Sequence, residues 1–93
     1  MKLEPEENIT RRICSLMYAE RKFENISQQE LCSHLGITQG LLSKIENTKL
    51  SPSVYVWLTF CKIFSLDPAI AMTETLFRKR MNAIKKLSPK SKK

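Results

Sequence analysis

The residues best suited to recognition chemistry in this chain of 93 residues lie between Gln28 and Ser51. Gln39 carries a carboxamide, with one acceptor oxygen and two N–H donors. It can therefore pair in bidentate fashion with a flat donor–acceptor edge. Lys44 and Lys49 bring flexible cations that suit anionic oxygens. Gln28 and Asn47 add two more amides, and Thr38, Ser43 and Ser51 add short hydroxyls. None of these is a nucleophile beside a base. Glu20, Glu24, Glu30 and Glu46 are too scattered for an acid–base pair. His34 reads as a solvated helix residue. A dyad of Cys14 or Cys61 with His34 needs a pocket that a helical domain of this size is too small to hold. Cys14, Cys32 and Cys61 show no Cys-x-x-Cys spacing, so no metal site and no cofactor is expected. They read as small buried hydrophobes in a reducing compartment, and a cytoplasmic binding protein rather than an enzyme is the expectation.

The element that must position these groups runs from Ser27 to Glu46. Ser27 can cap a helix, with Glu30 three residues on completing a capping box. Leu31 and Leu35 fall on one face of that helix, and Gly36 stops it. Thr38 then caps a second short helix, whose Leu42 and Ile45 point inward with Leu41 alongside. The outward face of the second helix is Gln39, Gly40, Ser43 and Lys44. Asn47 is expected to take the turn that follows.

The flanks read as further helices. Residues 5–22 carry a core stripe of Ile9, Ile13, Leu16 and Met17, with Pro5 at the first helical position. Arg11 and Arg12 lie off that stripe and read as solvated, while Arg21 and Lys22 suit the C-terminal end of the dipole. Phe23–Ile26 is a linker from which Phe23 or Ile26 can staple the next helix. Ser51 is expected to cap a fourth helix over residues 52–64, apolar nearly all round, in which Trp57 belongs to the core or to a dimer contact. Asp67 followed by Pro68 signals a fifth helix running to about Lys86. Ile70, Phe77, Met81 and Ile84 form its stripe. The expected fold is all-α: one compact five-helix domain over residues 1–86, followed by a disordered basic tail over 87–93.

Charge is unevenly placed. The chain carries +7, but residues 1–30 hold five Lys/Arg and six Glu, and residues 31–93 hold eleven Lys/Arg and three acids. The two parts thus sum to −1 and +8. The excess begins with the two-helix stretch and favours phosphate backbones through counterion release. Arg78–Lys93 holds eight of the cations and no acid, and reads equally as a solvated tail or a phosphate-binding arm. No apolar run approaches the roughly 18 residues of a membrane span. The acidic opening, Met-Lys-Leu-Glu-Pro-Glu-Glu, does not suit a secretory signal.

With its flanks, the two-helix stretch resembles the lambda-repressor/Cro-like helix-turn-helix family, also called the xenobiotic-response-element family. The likeness covers about Ile9 to Pro68. It rests on Ser27-Gln28-x-Glu30-Leu31, Leu35-Gly36-Ile37-Thr38, Ser43-Lys44-Ile45-Glu46-Asn47 and Ser51-Pro52-Ser53, in that order and at those spacings. The resemblance implies a compact five-helix fold and sequence-specific double-stranded DNA binding, and the expected role is a transcriptional regulator that represses or tunes a promoter. It implies a phosphate contact for Gln28, which also steadies Gln39. Thr38, Gln39, Gly40, Ser43 and Lys44 would face the groove, Gln39 reading adenine and Lys44 reaching guanine or a phosphate. Asn47, Lys49 and Ser51 would meet the backbone. Two positions depart from the family pattern: Gly40 is bare where a side chain usually contributes, and Thr48 stands where glycine often follows the recognition helix. A homodimer on a pseudo-palindromic operator is expected, joined through the fourth and fifth helices around Val56, Phe60, Leu76 and Phe77. The competing expectation is an antitoxin-like or anti-repressor module that uses the same fold to hold a protein.

Overall fold

Each helix in this chain begins where a short side chain or a proline dictates. A computed structural model describes residues 5–87. Among them are five α-helices, one 3-10 turn and no strand. Helix α1, Glu6–Phe23, starts behind Pro5, which sits at the cap rather than inside the first turn. Helix α2, Gln28–Leu35, is capped by Ser27, whose Oγ accepts the Glu30 N–H at 3.0 Å. Helix α3, Gln39–Glu46, is capped by Thr38, whose Oγ1 accepts the Leu41 N–H at 3.1 Å. Helix α4 is Val54–Phe64 and begins two residues later than Ser51 would set it. Ser53, in extended backbone, turns its Oγ onto the Val56 N–H at 3.1 Å and is the cap. The Ser51 hydroxyl instead faces the neighbouring Pro52 carbonyl at 3.4 Å.

The expected fifth helix is broken. Asp67 does cap a start, its Oδ1 accepting the Ala69 N–H at 3.0 Å, but only a 3-10 turn follows, Pro68–Ala71. Helix α5, Glu74–Leu87, then begins afresh, with Thr73 Oγ1 accepting the Leu76 N–H. The cause lies 59 residues away in sequence. Arg12 is buried, not solvated, and its Nε donates to the Ala71 carbonyl at 2.9 Å while Nη2 reaches the Met72 carbonyl at 3.4 Å. Those two carbonyls would otherwise accept from residues 75 and 76 of a continuous helix. Leu87, placed with the tail from sequence, is the last residue of α5, and the rest of that tail, 88–93, lies outside the described residues.

Four helices end in the same way. Asn25, Gly36, Thr48 and Ser65 take left-handed backbone after α1, α2, α3 and α4. In each case the next N–H reaches back five residues, as in Ile37 to Cys32 at 3.2 Å and Lys49 to Lys44 at 2.8 Å. This is the Schellman arrangement, which satisfies carbonyls left open at a helix end. The turn after α3 therefore uses Thr48 at φ 63°, not Asn47, whose φ is −92°. Ile26, Ile37 and Leu66, the residues following three of these turns, pack against the core. Lys49, following the fourth, is exposed. The loop after α3 thus has no apolar plug to pull it inward.

The core gathers Leu16, Met17, Leu31, Leu42, Ile45 and Phe60, all essentially inaccessible. Helix α1 runs through the middle and touches α3, α4, α5 and the 3-10 turn. Trp57 belongs to this core, stacking on Phe60 and donating its indole N–H to the Pro68 carbonyl at 3.3 Å. The three cysteines are buried, and burial pushes each thiol up, Cys61 to about 11. Val56 and Phe60 are also buried, so neither can belong to the dimer surface expected of them, and Phe77 is half-buried against the core. The apolar residues that α4 leaves outside are Val54, Tyr55, Leu58 and Ile63. No described helix is long and apolar enough to cross a membrane.

Candidate nucleic-acid interface

Gln39 is the first residue of α3, and what orients it begins in α1. Arg21 is buried there and forms a bidentate ion pair with Glu46, at 2.7 Å from Nε to Oε2 and 2.9 Å from Nη2 to Oε1. Its side chain is 10% exposed and that of Glu46 is 3% exposed, so the pair is shielded from solvent. The hydrogen bond to Glu46 raises the Arg21 pKa further, against the cost of burial. Arg21 also donates to the Ile26 carbonyl at 2.8 Å, which fixes the linker between α1 and α2. The exposed ring of Tyr18 lies 5.7 Å from the guanidinium.

The ion pair sets the direction of a chain of amides. A carboxylate only accepts hydrogen bonds, so the Gln28 amide must turn its Nε2 towards Glu46, which it does at 2.9 Å. That leaves Gln28 Oε1 to accept from Gln39 Nε2 at 3.3 Å. Gln39 is thereby held by one N–H, with its Oε1 and its second N–H left for an external partner. Such a pair matches the donor–acceptor edge of adenine in a major groove.

The other residues singled out from sequence fall around this point. Gly40, Lys44, Asn47, Lys49 and Ser51 are exposed, and Ser43 is half-buried. Asn47 Nδ2 donates to the Ser43 carbonyl at 2.8 Å and approaches its hydroxyl at 3.5 Å, so these two act as a unit at the end of α3. Thr38 Oγ1 is engaged as the cap acceptor, which leaves its O–H as a donor. The structure thus joins Gln28 to Gln39 and Ser43 to Asn47, and leaves Lys44 and Lys49 as separate cations. The outward side chains of α3 include no carboxylate, because Glu46 turns onto Arg21.

Gly40 is unusual in what it lacks. A Cβ built there meets no atom within 4 Å, and its φ is not in the left-handed region. Neither packing nor backbone conformation calls for glycine, yet glycine inside a helix costs about 1 kcal/mol relative to alanine.

Arg21, Glu46 and Tyr18 were not among the expected site residues. Tyr18, Arg21, Gln28, Glu46 and Asn47 line one cleft of about 380 Å³ beside the α3 face. Arg21 and Glu46 stand 25 residues apart, and no local spacing rule connects them. Among the cations of the basic C-terminal segment, Arg80 pairs with the buried Glu20 and Arg78 with Glu74, so neither is free as a phosphate-binding arm.

Comparison of the chain with family models, curated proteins and solved structures returned no match.

Proposed function

We propose that this protein is a sequence-specific double-stranded DNA-binding regulator that lays α3 in the major groove as the second helix of a helix-turn-helix. The observation that carries this reading is the chain of hydrogen bonds from Arg21 through Glu46 and Gln28 to Gln39. It holds the leading amide of an otherwise carboxylate-free surface in one orientation. Preorganising a reader in this way lowers the entropy lost on binding. The likeness of residues 9–68 to Cro-like proteins supports the same reading, as does the +8 charge of residues 31–93.

In this reading Gln39 reads an adenine, Lys44 takes a guanine or a phosphate, and Gly40 lets the helix come close to the bases. Thr38, Asn47, Lys49 and Ser51 contact the backbone and set the register. The protein occupies its operator as a homodimer and represses the promoter beneath it, with Val54, Tyr55, Leu58 and Ile63 of α4 as the apolar residues available for the dimer contact.

Selection of bound duplexes from a random pool tests this directly. One enriched motif, made of two inverted half-sites about one helical turn apart, is the expected result. Gln39→Ala should relax selection at one base position by roughly 1–3 kcal/mol. Binding that shows no salt dependence, or no duplex retained at low salt, overturns the reading. The exposed Val54, Tyr55 and Leu58 favour one second reading, a module that holds a protein partner through α4. A complex that survives high salt and excludes duplex would favour it.

A further inference from the structure

A groove runs between the 3-10 turn and α5. Ile70 of the turn and Leu76 and Ala83 of α5 line it, Asp67, Lys79 and Arg80 rim it, and it encloses about 310 Å³. No side chain of α5 is fully buried, and Leu76 is 43% exposed. Leu76, Ala83 and Leu87 recur at intervals of seven and four, so they share one stripe on the helix. Leu87 continues it into solvent. From Leu76 to Leu87 the stripe is roughly 16 Å long at 1.5 Å per residue, three turns of helix.

Two unpaired cations flank this stripe, against one carboxylate on the groove. Arg80 is neutralised by Glu20 and Arg78 by Glu74. Asp67, whose Oδ1 caps the Ala69 N–H, is that carboxylate and sits at the 3-10 end of the groove. Lys79 and Lys86 have no ion-pair partner among the described residues. Lys86 follows Lys79 by seven residues and so lies on the same side of the helix.

We propose that this groove receives an acidic amphipathic helix of a partner protein. One apolar side chain of that helix sits between Ile70, Leu76 and Ala83, and carboxylates one and two turns away lie on Lys79 and Lys86. The charge pattern selects this occupant over the others. A second copy packed on the same stripe about a two-fold axis would bring Lys79 and Lys86 against the same lysines. Duplex DNA offers phosphates but no apolar body for the groove. A flat anionic bilayer meets the lysines but does not reach into a concavity walled by Ile70. The mode is helix-in-groove recognition, with anchors at i, i+3 or i+4, and i+7. This surface shares no residue with the α3 face, and the proposal does not depend on DNA binding.

The test is selection of helical peptides from a displayed random library on the full-length protein at low salt. The enriched peptides should be net acidic, with apolar residues at the stated spacing, and should shift the amide resonances of Ile70, Leu76, Lys79 and Ala83. Lys79→Glu and Leu76→Glu should each weaken the enriched peptides at least about tenfold, a loss of about 1.4 kcal/mol. Both residues are exposed, and unchanged circular dichroism and thermal midpoint confirm that the variants fold. Lys44→Glu should leave peptide binding intact while weakening any duplex binding, so the two surfaces fail separately. Enrichment of no acidic amphipathic sequence overturns the proposal, as does indifference to Lys79→Glu. It is equally overturned if duplex, anionic vesicles or self-association accounts for the Leu76 and Lys79 shifts.

Discussion

Helix α1 sends two ion pairs outward, and they do different things. Arg21 meets Glu46 of α3, and Glu20 meets Arg80 of α5. In both, the carboxylate is almost wholly buried and accepts from two guanidinium nitrogens. At Glu46 the polar path continues through Gln28 to Gln39 and reaches the surface. At Glu20 it stops, and Arg80 is 27% exposed at its outer side. The same pairing serves in one place to aim a side chain and in the other to clamp a helix. Replacing Glu46 should therefore affect recognition at α3 as well as stability, while replacing Arg80 should lower stability and leave recognition at α3 unchanged.

Glu46→Ala is the largest break. It leaves Arg21 buried without its counter-charge, which is expected to cost about 3–5 kcal/mol in urea unfolding. Glu46→Gln keeps the shape and can accept from Gln28 or donate to it, so the polarity of the amide chain is no longer fixed. At temperatures where that variant is folded, its selected duplexes should lose their preference at the Gln39 position. Arg80→Ala comes next. It leaves the buried Glu20 carboxylate without its partner, but the partly exposed Arg80 opens a path for water when removed, so the cost is expected at about 1.5–3 kcal/mol. Its duplex selection should match that of the native chain, and a changed motif would mean that the two pairs are not independent. Thr48→Gly touches neither pair. It relieves a β-branched residue of left-handed backbone and is expected to stabilise by about 1 kcal/mol, read as a rise in the urea midpoint. Arg78→Ala breaks the exposed pair with Glu74 and is the smallest, expected within about 0.5 kcal/mol by the same assay.

What could be read from sequence was what neighbours decide. Ser27, Gly36 and Thr38 do their work within three or four residues, so their roles at the ends of α2 and α3 were legible. The inward faces of α2 and α3 followed from spacing alone. What could not be read was what distant residues decide. Arg12 looked solvated by its place off the apolar stripe, but it reaches the carbonyls of residues 71 and 72 and splits the fifth helix. Arg21 looked like a dipole partner at the end of α1, and Glu46 like a stray acid, until the fold placed them together. Around Pro52 two serines compete for one cap, and the loop geometry rather than the Ser-Pro pairing chose Ser53. At the candidate site, the amide Gln39 and its neighbours on α3 were visible as residue types. The direction in which Gln39 is held was not, because it depends on the carboxylate at Glu46.

The empty space around Gly40 has a practical side. The backbone there is ordinary helix, and a Cβ meets nothing of the protein. Position 40 can thus carry any of the common helix-forming side chains without disturbing what lies beneath. Most of them should raise helix stability by up to about 1 kcal/mol. A library varied at this one residue would change only what α3 presents to its surroundings. Such a library would be a compact tool for altering the protein's target while the fold stays constant.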